Sequence, residues 1–269
     1  SDKKIKSFIQ IGSSSEYGKL KSPHKEILNT KPTVIYGKSK LLASKFLIKK
    51  YIDNKFPVTI LRFYQVYGPK QDLNRFIPIV INSSLKNLEF ECSEATQSRD
   101  FLYIDDATNA IIKSIKSRKA RGKIFNIGSG KAIVLKKIIN LIFEKIGKGL
   151  PLFGKIPLRP DEPKIIFPKI NHSKKLIHWK PEINFNKRMV GRTSLIAVKT
   201  GGPSDVSLVF NPDPVATIKK NIKFCIASLH LNQMFMEHRK HVLVMKERIP
   251  RFIKRQSGVD YPSAYSGHK

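Results

Sequence analysis

The order in which the first 63 residues change character constrains the fold more than any other feature of this chain. Residues 5–12, IKSFIQIG, form an apolar run that ends in a Ser/Gly turn, the pattern of a buried strand. Residues 18–35 carry Pro23, Pro32 and many polar side chains and are expected to form a loop. The segment 36–53 then places Leu41, Leu42, Ala43, Phe46, Leu47 and Ile48 at helical spacing. Pro57 ends it and opens a second strand, VTILRF, at 58–63. Strand, loop, helix, strand is the unit from which parallel sheets are built. Further elements follow: a helix over 75–86, a short strand FLYI at 101–104, a helix at 107–117 that Asp105 or Asp106 can cap, a strand at 123–129 and a helix at 134–146. Residues 150–187 hold six prolines and are expected to be loop-rich.

The predicted helix begins with the pair that carries chemistry. Tyr36 and Lys40, four apart in VIYGKSKLLASKF, share one helix face. An ammonium beside a phenol favours the phenolate, so Tyr36 can act as a base below its ordinary pKa of about 10. Alone, such a pair is more often a surface tyrosine next to a lysine. Ser13 lies 23 residues before Tyr36, in the turn IQIGSSSEYG, where its hydroxyl either orients a substrate oxygen or satisfies turn amides.

Six stretches in order, IGSSSEYG, YGKSK, LRFYQVYGPKQDLNRFIP, SRDFLYIDDATNAI, IFNIGSG and LRPDEP with KKLIHWKP, span residues 1 to about 188. In these motifs the chain resembles the extended short-chain dehydrogenase/reductase family, the NAD-dependent nucleotide-sugar epimerases and dehydratases. The resemblance implies an α/β fold: a partial Rossmann-like parallel sheet with a small α+β substrate lobe. It implies catalytic roles for Ser13, Tyr36 and Lys40, with Lys40 also bonding the nicotinamide ribose. Tyr36, Lys40, Phe63 and Gln65 would meet the cofactor NAD, and Gln65, Arg99 and Arg159 a nucleotide diphosphate sugar. Guanidinium forks suit diphosphate oxygens; Arg99 can equally pair with Asp100 or Asp105. The Asn126-Ile127-Gly128 stretch is expected to be a structural turn. Ser14 and Ser15 stand where the family's dehydratases carry Asp-Glu, which favours epimerisation or reduction over dehydration.

A dinucleotide site needs a Gly-rich turn after the first strand, and only twelve residues precede Ser13. The chain is therefore expected to begin within a Rossmann domain, to hold NAD weakly by itself, and to need a complementing chain or a second copy. The alternative is an inactive structural or polyanion-binding component of a larger assembly. The net charge of +31 invites that alternative. However, residues 1–188 hold 31 lysines against 7 arginines, scattered along the predicted helix faces, which does not favour a nucleic-acid partner.

A boundary is expected near residue 189, dividing an epimerase-like core, 1–188, from a basic C-terminal appendage, 189–269. All four methionines lie at or beyond it, and the resemblance stops. The run 215–248 spaces Ile218, Ile222, Ile226 and Leu229 like an amphipathic helix. Within it His238 and His241 lack a third metal ligand, so a solvated basic helix is the simpler reading. Two cysteines, Cys92 and Cys225, give no disulfide framework and fit a reducing, cytoplasmic setting. No apolar run approaches the ~18 residues of a membrane span.

Overall fold

The computed structural model describes residues 5–69, 71–158 and 162–188. Arg159 and everything from 189 onward, including His238, His241 and Cys225, lie outside the described residues, as does the expected boundary near 189.

Three parallel strands form the main sheet, in the order β1 (Phe8–Ser13), β2 (Val58–Phe63), β7 (Lys123–Ile127). Between β1 and β2 runs helix α1 (Ile35–Asn54). Then follow β3 (Gln65–Tyr67), α2 (Phe76–Leu85), β4 (Glu89–Glu91), β5 (Ser98–Arg99), β6 (Phe101–Tyr103) and α3 (Ile104–Lys116), which precede β7. After β7 come β8 (Ile133–Val134), α4 (Leu135–Ile146), β9 (Leu150–Leu152), β10 (Ile165–Ile166), α5 (Asn171–Leu176) and α6 (Phe185–Arg188). The last four short elements occupy the stretch expected to be mainly loop. The two strands among them arise by pairing with strands distant in sequence: β9 joins β4, and β10 joins β5.

All six residues of β2 are buried, as a central parallel strand requires. Its side chains alternate between two layers. Val58 and Ile60 pack with Leu47, Ile48 and Tyr51 of α1. Leu61 and Phe63 pack with Ala107, Ala110 and Ile111 of α3, with Phe125 and Ile127 of β7, and with Trp179. The sheet is thus sandwiched between α1 and α3. A second core joins α2 to α4 around Ile77, Val80, Ile138, Ile142, Tyr67, Phe101 and Phe185, the small lobe expected beside the sheet.

Two local expectations are corrected. The apolar residues of α1 do not form one face: Leu41 is buried, whereas Ile35, Leu42 and Phe46 are 74%, 68% and 59% exposed along the opposite stripe. Asp105 and Asp106 do not cap α3, which starts at Ile104. Instead the Asp106 carboxylate accepts the Glu182 and Ile183 amides at 3.1 and 3.0 Å, and the Asp106 carbonyl accepts the Trp179 indole N–H at 3.0 Å. These contacts fasten the 179–183 segment to α3.

Candidate active site

The carboxyl ends of the parallel strands place the first catalytic candidate. Ser13 is the last residue of β1 and lies opposite Phe63, the last of β2, which pairs in turn with Ile127 of β7. The chain then turns through a 3₁₀ segment, Ser14–Tyr17. Ser13 is its N-cap: its Oγ accepts the Ser15 N–H at 3.1 Å while its own N–H donates to Glu16 Oε1 at 2.9 Å, a reciprocal capping box. The hydroxyl thus satisfies a turn amide, and it also hydrogen-bonds the Tyr36 phenol. Gly37 permits this approach, because a Cβ there would run into the Ser15 carbonyl.

Tyr36 sits in the first turn of α1 and Lys40 one turn further, with Nζ 5.6 Å from the Tyr36 ring centre. Lys40 Nζ donates to the Ile11 carbonyl of β1 at 3.0 Å. Ser13, Tyr36 and Lys40 therefore converge, but with different electrostatics from those the sequence suggests. Burial pushes the Tyr36 phenol up, against the pull of the Ser13 hydrogen bond and of Arg75, while Glu16 adds to the rise. Burial pulls the Lys40 ammonium down, against Glu16. Desolvation acts on both groups against their charged forms, so the expected depression of the Tyr36 pKa by Lys40 does not occur in the chain by itself.

The other candidates divide. Gln65 opens β3 and is exposed beside the strand ends, its backbone N–H donating to the Asp100 carbonyl at 3.0 Å. Phe63 is 7% exposed and its ring belongs to the core between β2 and α3. That is a packing role where the resemblance implies contact with cofactor. Arg99 is buried and pairs with neither Asp100 nor Asp105 but with Glu162, while its Nη1 donates to the Ser98 carbonyl at 2.8 Å. Asp100 has other partners: the amides of Ser129, Gly130 and Lys131 donate to its carboxylate at 2.6, 2.6 and 3.0 Å. Even so, burial pushes Asp100 up to about 6. The NIGSG turn is structural, as expected, because this internal carboxylate fills its nest of amides.

Several polar residues behind the site escape sequence reasoning. Glu16 and Arg62 form a fully buried ion pair. The Tyr17 hydroxyl donates to Asn126 Oδ1 at 2.7 Å, and Asn126 Nδ2 donates to the His24 carbonyl at 2.9 Å. His24 Nε2 lies 2.9 Å from the Leu20 carbonyl, which can only accept, so Nδ1 accepts from the Tyr64 hydroxyl at 2.9 Å. Tyr17, four residues after Ser13 in IGSSSEYG, and Asn126, in IFNIGSG, are among the members that lie in sequence motifs. Among the described residues, no group of three or more His, Cys, Asp or Glu could hold a metal ion.

A parallel sheet flanked by helices, with a hydroxyl, a phenol and an ammonium gathered at its strand ends, defines a Rossmann-like α/β protein. The comparisons with known proteins carry this one step further. Residues 1–128 match the NAD dependent epimerase/dehydratase family. The chain is 28% identical over 178 residues to an uncharacterized UDP-glucose epimerase of Bacillus subtilis, covering 66% of this chain and 56% of that protein. It is 30% identical over 173 residues to the dTDP-4-dehydro-6-deoxyglucose reductase of Escherichia coli, covering 62% and 54%. Among solved structures, the UDP-glucuronic acid 4-epimerase of Bacillus cereus, in complex with UDP-glucuronic acid and NAD, superposes with a TM-score of 0.65 at 27% identity, covering 74% of this chain and 63% of that one. The chain thus spans about half the length of the curated relatives it matches.

Proposed function

We propose that this chain carries the proton-transfer half of an NAD-dependent enzyme that epimerises or reduces nucleotide sugars. The observation that carries the reading is the hydrogen bond between Ser13 and Tyr36 with Lys40 one turn along the same helix. Tyr36, Lys40 and Gln65 fit the ribose and nicotinamide end of a dinucleotide, since phenol, ammonium and amide supply donors and an acceptor beside the strand ends. NAD, when bound, supplies the hydride acceptor or, once reduced, the hydride donor.

The residues of this chain handle the proton. In the reductive direction, Tyr36 donates its phenolic proton to the carbonyl oxygen of a keto sugar while Ser13 hydrogen-bonds that oxygen. The raised pKa of Tyr36 suits that direction, because the phenol is protonated at neutral pH. In the oxidative direction the same oxygen returns its proton to a Tyr36 phenolate, which requires positive charge brought close to the ring. Arg99 is assigned to the diphosphate, with Arg159 as its proposed second cation. Ser14 and Ser15 in place of an acid–base pair argue against dehydration.

The strand β1 is paired on one side only among the described residues, and Ile5 before it and Phe8 at its start are 56% and 37% exposed. Further polypeptide completing this edge, from a second chain or another copy, is part of the proposal. So is a cytoplasmic setting, supported by the free, buried Cys92. Among the described residues no helix is long and apolar enough to cross a membrane.

The test is a mixture of the chain, together with the polypeptide that completes its sheet, with NAD or NADH and a panel of nucleotide sugars and their 4-keto forms. Turnover is followed by absorbance of the reduced nicotinamide and by NMR of the sugar. Turnover that Tyr36→Phe abolishes is the expected result; equal rates in wild type and variant would refute the assignment.

A further inference from the structure

The carboxylate of Glu16 lies where three elements meet. It is fully buried. Oε1 accepts the backbone N–H of Ser13, at the end of β1, at 2.9 Å. Oε2 accepts the Ser44 hydroxyl of α1 at 2.9 Å and the Arg62 Nε–H of β2 at 2.8 Å. Arg62 Nη2 lies 2.8 Å from the same oxygen, within ion-pair reach. Arg62 is itself held, with Nη1 donating to the Ile27 carbonyl at 2.6 Å and its guanidinium 4.6 Å from the centre of the Tyr17 ring. Space for this arrangement is reserved in the backbone: a Cβ on Gly12 would press on Glu16 Oε1 and on the Arg62 side chain.

Ser44 follows Lys40 by four residues and Tyr36 by eight, so the three lie along one strip of α1. One carboxylate therefore grips the strand end that presents Ser13, the helix strip that presents Tyr36 and Lys40, and the neighbouring strand. We propose that Glu16 is a positioning residue for the Ser13–Tyr36–Lys40 set, tying β1, β2 and α1 together at the site and supplying its fixed negative charge. The inference rests on the reading of that set as catalytic, but its geometry does not.

The charge has a definite direction of action. Glu16 favours the proton on Tyr36 and the proton on Lys40 alike, as a negative charge must. The other groups facing Tyr36 are the Ser13 hydroxyl and Arg75, both of which favour the phenolate, and the Lys40 ammonium over its ring. Facing Glu16 are Arg62 and Ser44. A neutral side chain of the same shape at position 16 removes the one anion in this set and leaves the cations, so the Tyr36 phenol titrates at lower pH.

The experiment titrates the full chain, without cofactor or substrate, by NMR of tyrosine labelled at Cζ, with the Tyr36 signal assigned from Tyr36→Phe. In Glu16→Gln the Tyr36 midpoint is expected to fall by about half a pH unit or more. Glu16→Asp, which keeps the charge, is expected to hold the midpoint near the wild-type value. Because Glu16→Gln strands the buried Arg62 and can fail to fold, the pair Glu16→Gln with Arg62→Met is titrated alongside. The same fall is expected there, since Arg62 is not among the groups that shift Tyr36. An unmoved or rising midpoint in folded Glu16→Gln or in the pair overturns the proposal. So does an equal fall in Glu16→Asp, which would mark a general loosening. Since no turnover is read, failure here leaves the Tyr36→Phe activity test to stand or fall separately.

Discussion

Replacing Trp179 by Phe tests how the segment after β10 is held. The indole is fully buried against Leu102, Ala107, Ala110, Ile111 and Phe125, and its N–H donates to the Asp106 carbonyl at 3.0 Å. Three losses follow from the substitution. The smaller ring leaves about 40 Å³ unfilled, worth about 1 kcal/mol at the usual cost per unit of cavity volume. About 35 Å² less apolar surface is buried, worth about 1 kcal/mol. The hydrogen bond contributes roughly 1 kcal/mol more. The expected destabilisation is therefore about 3 kcal/mol, a shift of roughly 1–2 M in the urea midpoint for a domain of this size. Far-UV circular dichroism is the appropriate readout, because the substitution removes the only tryptophan of the chain. A loss below about 1 kcal/mol would refute both the tight packing and the hydrogen bond.

Three further outcomes are expected. Burial lowers the His24 pKa below its ordinary 6.5, so the folded state prefers neutral imidazole. The stability His24 contributes is complete above that value and is lost as pH falls through the depressed folded value; His24→Gln should flatten the acid side of the urea-midpoint profile. Asp100→Ala, which removes the acceptor of three backbone amides at 129–131, should cost about 2–3 kcal/mol by urea denaturation. Leu42→Lys on the exposed stripe of α1 should change stability by less than about 0.5 kcal/mol; a large loss would show that this stripe is covered.

Local pattern carried most of the architecture. The six-residue strand Val58–Phe63 and the helix from Ile35 coincide with their expected positions, because apolar runs bounded by Pro and Gly are read residue by residue. The meeting of Ser13, Tyr36 and Lys40 was legible from motif order, since strand ends and helix starts in a parallel sheet lie on one side. What the sequence hid were pairings between residues distant along the chain. Glu16 looks like an ordinary turn glutamate until Arg62 arrives 46 positions later, and Arg99 finds its carboxylate 63 positions away. Periodicity reports neighbours at three and four residues; it says nothing of which buried charge will be neutralised, or by what. The electrostatics of Tyr36 were hidden for a related reason. Desolvation depends on the whole surroundings, and the helical spacing of Lys40 showed only one neighbour.

The parallel sheet also governs how this chain must come together. Phe8 pairs with Val58, and Thr59 with Lys123, so each strand finds its neighbour only after the chain has closed a loop of about fifty or sixty residues. Helices such as α4 satisfy themselves locally and can form early, but β2 has no partner until two remote segments reach it. Contacts of that range make folding slow compared with a helical bundle of the same size. During that delay the fully buried strand β2 is unpaired, and the risk of aggregation is greatest then, before the native sheet closes over it.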